Sequence, residues 1–126
     1  MKHAYDVYAQ ACPTRVVLDR LADKWIVLIL GLLGEQPMRF NQLRREIQGV
    51  SQKVLSQALK KLERDGLVHR QAFATVPVTV EYSITPLGRS LASTVSELAR
   101  WAEANIESVI AAQQSYDAAE LRRGES

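Results

Sequence analysis

Asn41-Gln42-Leu43-Arg44-Arg45-Glu46-Ile47-Gln48-Gly49-Val50-Ser51-Gln52-Lys53-Val54-Leu55-Ser56-Gln57-Ala58-Leu59-Lys60-Lys61-Leu62-Glu63-Arg64-Asp65 carries two short helical periods with a break between them. Asn41 reads as an N-cap; Leu43, the stem of Arg44 and Ile47 follow on one helix that ends at Gly49. Ser51 caps a second helix, on which Val54, Leu55, Ala58, Leu59 and Leu62 make one apolar stripe and which Gly66 terminates. Two helices, 41–48 and 51–65, joined by a tight turn at Gly49-Val50 are a helix-turn-helix, in which the second helix lies in the major groove of DNA.

With the stripe facing a core, the opposite side of the second helix shows Gln52, Lys53, Ser56, Gln57, Lys60, Lys61 and Arg64. Those near its start are amides, a hydroxyl and one ammonium, which can donate or accept at base edges. Those further along are cations suited to phosphate. A helix surface that serves solvation alone mixes acids among its bases to gain i,i+4 pairs, yet no acid occurs between Glu46 and Glu63. Ser51, Gln52, Lys53, Ser56, Gln57, Lys60 and Lys61 are therefore candidate DNA contacts. Arg39, Arg44 and Arg45 flank the motif and would face the DNA backbone, where each neutralised phosphate releases counterions. Asn41 is counted with them.

Upstream, Cys12-Pro13 opens a helix, since proline suits the first helical position, with Val16, Val17, Arg20 and Leu21 on one face. Asp23 caps the next, with Trp25, Leu28, Ile29, Leu32 and Leu33 at helical spacing until Gly34 and Pro37 stop it. Met38-Arg39-Phe40 is a short extended link. Downstream the period switches to two: Val68 to Phe73 and Val80, Tyr82, Ile84 alternate around a loop containing a turn proline, which predicts a β-hairpin in the position of a wing. Thr85-Pro86 starts a long helix whose Leu87, Leu91, Val95, Leu98, Ala102, Ile106 and Val109 keep a 3–4 spacing. The expected organisation is an arm (1–12), a winged helix-turn-helix (13–85), a dimerisation helix (86–115) and a flexible tail (116–126), mainly α with a small β wing.

Composition sets the class. The 126 residues suit one soluble domain, with 47% apolar and 24% charged residues. No secretory signal is visible, and the longest apolar run, Trp25 to Gly34, falls short of the ~20 residues a membrane span needs. One cysteine excludes an intrachain disulfide and suits the cytoplasm. The net charge of +2 conceals a basic middle: residues 24–70 carry nine bases against four acids, whereas 71–126 carry four against seven. A polyanion-binding module joined to a non-binding element has that pattern. No cofactor is called for. The soft ligands His3, His69 and Cys12 lack metal-binding spacing. Nor is there a nucleophile–base pair, a Gly-rich phosphate loop, or a carboxylate beside either histidine, so an enzyme is not indicated.

Cys12-Pro13, Asp23-Lys24-Trp25, Arg39-Phe40-Asn41-Gln42-Leu43-Arg44-Arg45 and Ser51 through Gln57 resemble the HxlR-type, MarR-like winged helix-turn-helix regulators. So do Leu59 through Val68, Val80-Glu81-Tyr82-Ser83 and Thr85-Pro86-Leu87-Gly88. The similarity runs from about Cys12 to Trp101. It implies a regulator that binds inverted-repeat operators in double-stranded DNA as a dimer built from its N- and C-terminal helices. Two features depart from the family: Ala22-Asp23 replaces a common Gly pair, and Thr79 stands where many members hold a cation near the wing tip. No base occurs between Arg70 and Arg89, so little electrostatic affinity is expected of the wing.

Dimerisation also follows from length. A helix from Pro86 to Ser115 would run ~45 Å, more than a domain of this size can cover, and its apolar stripe must be buried. A twofold dimer would present two recognition helices near the ~34 Å repeat of B-DNA. Val16, Leu87, Leu91, Leu98, Trp101 and Ile106 are the candidate interface. Cys12 admits two readings. Ahead of a helix start, with Arg15 one turn away, it would favour the thiolate and answer to a small electrophile or thiol modifier, as the family resemblance also implies. Alternatively it is a small apolar residue packed in the dimer interface. A winged helix that binds protein, or a small-molecule-responsive regulator without thiol sensing, is the alternative function.

Overall fold

The computed structural model describes residues 5–125. The first four residues of the expected arm, His3 among them, and Ser126 of the expected tail lie outside the described residues. The element order is α1 (Thr14–Ala22), α2 (Lys24–Leu33), β1 (Met38–Arg39), α3 (Phe40–Glu46), α4 (Gln52–Arg64), β2 (Val68–Phe73), β3 (Thr79–Ile84) and α5 (Pro86–Glu125). This is a mainly helical winged helix-turn-helix with a small antiparallel sheet.

The helix starts are set by short polar side chains. Asp23 accepts from the backbone N–H groups of Trp25 and Ile26 at 2.9 and 3.3 Å, Ser51 from Val54 at 3.1 Å, and Thr85 from Gly88 at 3.0 Å. The breaks are set by glycine. Gly49 and Gly66 have φ of +89° and +77°, a region that side chains with a Cβ avoid, so the turn inside the helix-turn-helix and the exit from α4 both depend on them.

Three local expectations are corrected. Asn41 is not the N-cap of α3: the helix begins at Phe40, Arg39 is the capping residue, and Asn41 lies in the first turn. The cause is the second correction. Of the expected extended link, Met38-Arg39 is extended and is a strand paired with β3 through Met38–Tyr82 and Arg39–Glu81, but Phe40 is already helical, so the ladder decides where the helix can begin. The sheet order is β1-β3-β2, and the hairpin pairs Val68 with Ile84 through to Phe73 with Thr79. Third, helix α5 continues through the stretch expected to be a flexible tail. Ala118, Ala119, Glu120, Leu121, Arg122 and Arg123 are all strong helix formers.

Two compact units divide after Val95. The first holds the core: Ile26, Ile29, Leu30 and Leu33 of α2, Leu43 of α3, Leu55, Ala58, Leu59 and Leu62 of α4, with Met38, Ile47, Val50, Leu67, Val68 and Val95. Each fully buried aliphatic side chain contributes about 1.5–3 kcal/mol. On α4 the expected stripe is the buried one, Val54 being half-buried. On α2 the buried face is turned from the expected one: Ile26 and Leu30 are inside, while Leu28 is 47% exposed. Almost every residue of α2 is apolar, so periodicity could not choose its face. On α1, Val16 and Val17 are exposed, Arg20 and Leu21 half-buried, and no residue is buried. The second unit, from Ser96, is helix only and exposes Leu98, Trp101, Ile106, Ile110, Tyr116 and Leu121. Among the described residues no helix is long and apolar enough to cross a membrane.

Candidate nucleic-acid interface

Helix α4 rests on the core through Leu55, Ala58, Leu59 and Leu62, and this anchoring turns its other side outward. Gln52, Lys53, Gln57, Lys60 and Lys61 are exposed and Ser56 is half-buried. Ser51 is exposed, with its hydroxyl oxygen engaged in the cap to Val54. Arg39, Asn41, Arg44 and Arg45 are exposed as well. Among the described residues, none of these cations is in an ion pair. Uncompensated cations beside amides and hydroxyls can meet phosphates and base edges without first breaking internal contacts.

The structure brings part of this set together and adds residues that sequence reasoning missed. Arg39, Phe40, Asn41, Gln42 and Arg45 share an open notch of about 640 Å³ with Val78, Thr79 and Val80 at the loop end of the hairpin. Asn41, Arg44 and Arg45 border a second, shallower hollow. The hairpin residues carry no charge and fall outside any basic cluster, so composition could not nominate them. Pairing of β1 with β3 brings the notch into being. The same pairing sets Glu81 opposite Arg39 and beside Gln71 of β2, a polar row across the sheet.

A second missed contact ties α4 to α1. Arg20 Nε donates to Asp65 Oδ2 at 2.6 Å, both side chains being mostly shielded from water. Asp65 is the C-cap residue of α4. At the other end of the hairpin, Thr85 Oγ1 donates to the Gly66 carbonyl at 2.7 Å and Thr85 N to that of Leu67 at 3.1 Å, which docks the start of α5 on the exit from α4. Both links carry long sequence separations and no local pattern.

Cys12 is half-buried, with Sγ 2.9 Å from Thr14 Oγ1. The Thr14 hydroxyl holds the thiol below its ordinary pKa, with burial opposing. The expected help from Arg15 is absent: its guanidinium is directed to the carbonyls of Val7 and Tyr8 at 2.9 and 3.1 Å. Trp25 is half-buried against the core, with Lys24 Nζ 4.6 Å from its ring centre.

The family model for HxlR-like helix-turn-helix proteins matches residues 20–110. The HTH-type transcriptional regulator YtfH of Escherichia coli strain K12, itself uncharacterised, is 47% identical over 106 residues, 84% of either chain. The solved structure of a candidate transcriptional regulator ytfH from Salmonella typhimurium superposes with a TM-score of 0.82 at 43% identity, covering 87% of this chain and 98% of that one. The redox regulator HypR in its oxidised form superposes with a TM-score of 0.70 at 37% identity, covering 75% of this chain and 97% of that one. With the family model spanning most of the chain and the winged helix-turn-helix laid out as above, the chain belongs to the HxlR-like helix-turn-helix family and is a transcriptional regulator of that type, not an enzyme.

Proposed function

We propose that the chain binds an inverted-repeat operator in double-stranded DNA as a homodimer, with α4 in the major groove. The observation that carries this is the outward face of α4, where Gln52, Lys53, Gln57, Lys60 and Lys61 stand exposed and, among the described residues, without an ion pair. Lys53 and Gln57, in the first turns, read base edges, while Lys60, Lys61, Arg44 and Arg45 meet phosphates. Dimer formation draws on exposed apolar side chains in each unit. In the first, the exposed Val16 and Leu87 and the half-buried Leu91 line an open groove of about 530 Å³. In the second, Leu98, Trp101 and Ile106 are 49%, 62% and 49% exposed. Side chains of this size left in water in both units call for a partner surface, and a second copy is the simplest.

The test is a gel shift of the purified chain on its own upstream region across a salt series. Specific retardation that weakens as salt rises is the expected result. Lys53→Ala with Gln57→Ala should lower affinity about tenfold or more, at about 1–3 kcal/mol per lost base contact. Normal operator binding by that double variant would remove α4 from the recognition role.

Thiol control is the finer part of the reading. HypR is described as a redox regulator, and the Thr14 hydroxyl favours the Cys12 thiolate, the reactive form. Diamide would join two Cys12 thiols, one from each protomer, or Cys12 and a small thiol, into one disulfide and so change DNA affinity. If Cys12→Ser leaves the diamide response of the gel shift intact, the thiol is not the switch.

A further inference from the structure

Lys24 and Trp25 stand at the start of α2, where Asp23 fixes the backbone by accepting from Trp25 N at 2.9 Å and Ile26 N at 3.3 Å. The indole of Trp25 is half-buried and packs on the core. Its rim lies against the turn of the helix-turn-helix: a Cβ built on Gly49 would meet Trp25 Cη2 at 3.8 Å and nothing nearer. Lys24 is exposed, and its ammonium sits over the same ring, 4.6 Å from the centre. One aromatic ring therefore joins a solvent-facing cation to the turn that leads into Ser51 and Gln52, both exposed, at the start of α4.

Nothing in the fold asks for this ammonium. A cation in the first turn of a helix opposes the macrodipole. The first turn of α2 holds no acid, and among the described residues no carboxylate pairs with Lys24. Asp23, next in sequence, is spent on the cap. What holds the side chain is the indole face, which attracts a cation and leaves its three N–H donors to bond elsewhere. An ammonium placed in this way has given up rotamer freedom in advance, so an anion binds it at lower entropic cost. The anion is defined by the neighbouring helix. When the start of α4 reads base edges, the turn before it meets the sugar–phosphate backbone that borders the groove.

Resting on the DNA-binding reading above, we propose that Lys24 is a phosphate contact beside the turn of the helix-turn-helix, and that Trp25 is its positioning residue. The register of α4 on the duplex is thereby set from α2 as well as from α3 and α4. Lys24 lies outside the basic run of the helix-turn-helix, and only the packing of Trp25 on Gly49 brings it there.

The experiment uses the full chain and a duplex of about 40 base pairs that it selects from a random library, on the order of two half-sites with flanks. Lys24→Gln should reduce the slope of log affinity against log salt by about 0.9 for each protomer bound, and Lys24→Arg should keep it. The melting temperature of Lys24→Gln should equal or exceed that of the parent, because the charge removed opposes the α2 dipole. Single phosphates are then replaced by uncharged methylphosphonates. One position in each half-site should weaken the parent about fivefold at ~0.15 M salt and leave Lys24→Gln unaffected. Trp25→Leu keeps an apolar side chain without the ring face. It should weaken the parent about two- to fivefold, the equivalent of an exposed cation–π contact, and weaken Lys24→Gln no further.

A parental salt slope in Lys24→Gln, or the absence of any phosphate whose neutralisation is silent in that variant, overturns the inference while leaving α4 as reader. Equal losses from Trp25→Leu with and without Lys24 remove Trp25 from the positioning role. A parent that selects no duplex overturns both the inference and the reading beneath it.

Discussion

Arg20 of α1 and Asp65, the residue that closes α4, share a 2.6 Å charge-assisted hydrogen bond across 45 residues of sequence. The pair fixes the end of α4 to an element with no buried residue of its own. Both side chains retain some water contact, at 16% and 19% exposure, so the pair sits between the surface and buried limits. Arg20→Ala should cost about 1–2 kcal/mol of stability, the range for a hydrogen bond to a charged group after discounting for solvent. A double-mutant cycle with Asp65→Ala under urea unfolding measures it, and a coupling near zero would show that the contact is incidental.

Gly88 is required for a different reason. A Cβ at this position would overlap the Leu67 carbonyl oxygen and come within 2.8 Å of Ile84 Cγ1. Neither neighbour can move cheaply, since Leu67 O also accepts from Thr85 N and Ile84 pairs with Val68 in the sheet. Gly88→Ala should therefore destabilise the chain by about 3 kcal/mol, the upper end of the usual overpacking cost, although alanine favours helices. Thermal unfolding with no loss, or with a gain, would mean that α5 does not lie against the exit of α4 as described.

The thiol of Cys12 should titrate below its ordinary value because the Thr14 hydroxyl hydrogen-bonds the thiolate. For an acid whose pKa is lowered by folding, the stabilisation is present above the unfolded-state pKa and is lost as pH falls through the folded one. The rate of alkylation by iodoacetamide should accordingly rise at lower pH in the folded chain than in urea. Thr14→Val should move the midpoint upward, toward the unfolded value. A midpoint indifferent to Thr14→Val would assign the shift to some other group.

The helical second unit supplies the fourth prediction. Leu98 and Trp101, one turn apart, are exposed. If they pack in a dimer, Leu98→Glu with Trp101→Glu places charges in the interface and should raise the dimer dissociation constant at least a hundredfold, since burying unpaired charge costs several kcal/mol. Sedimentation velocity across a dilution series reads it, with circular dichroism to check that the first unit remains folded. Unchanged dimer content would exclude these two side chains from the contact.

The sequence by itself determined the order of the helices and of the hairpin, the glycine breaks at Gly49 and Gly66, the caps at Asp23, Ser51 and Thr85, and the two sides of α4. Each is a local property: a cap needs one side chain and the next turn, and an amphipathic stripe shows its period within four turns. Only the tertiary structure decided which face of α2 is buried, since a uniformly apolar helix has no preferred side until its neighbours arrive. It also decided that Arg39 belongs to a strand, which shifted the start of α3 and set Val78, Thr79 and Val80 across from Arg39 and Arg45. Strand pairing and the Arg20–Asp65 bond join residues tens of positions apart. Contacts of that kind leave no period in the chain, because they depend on three-dimensional closure and not on neighbouring residues.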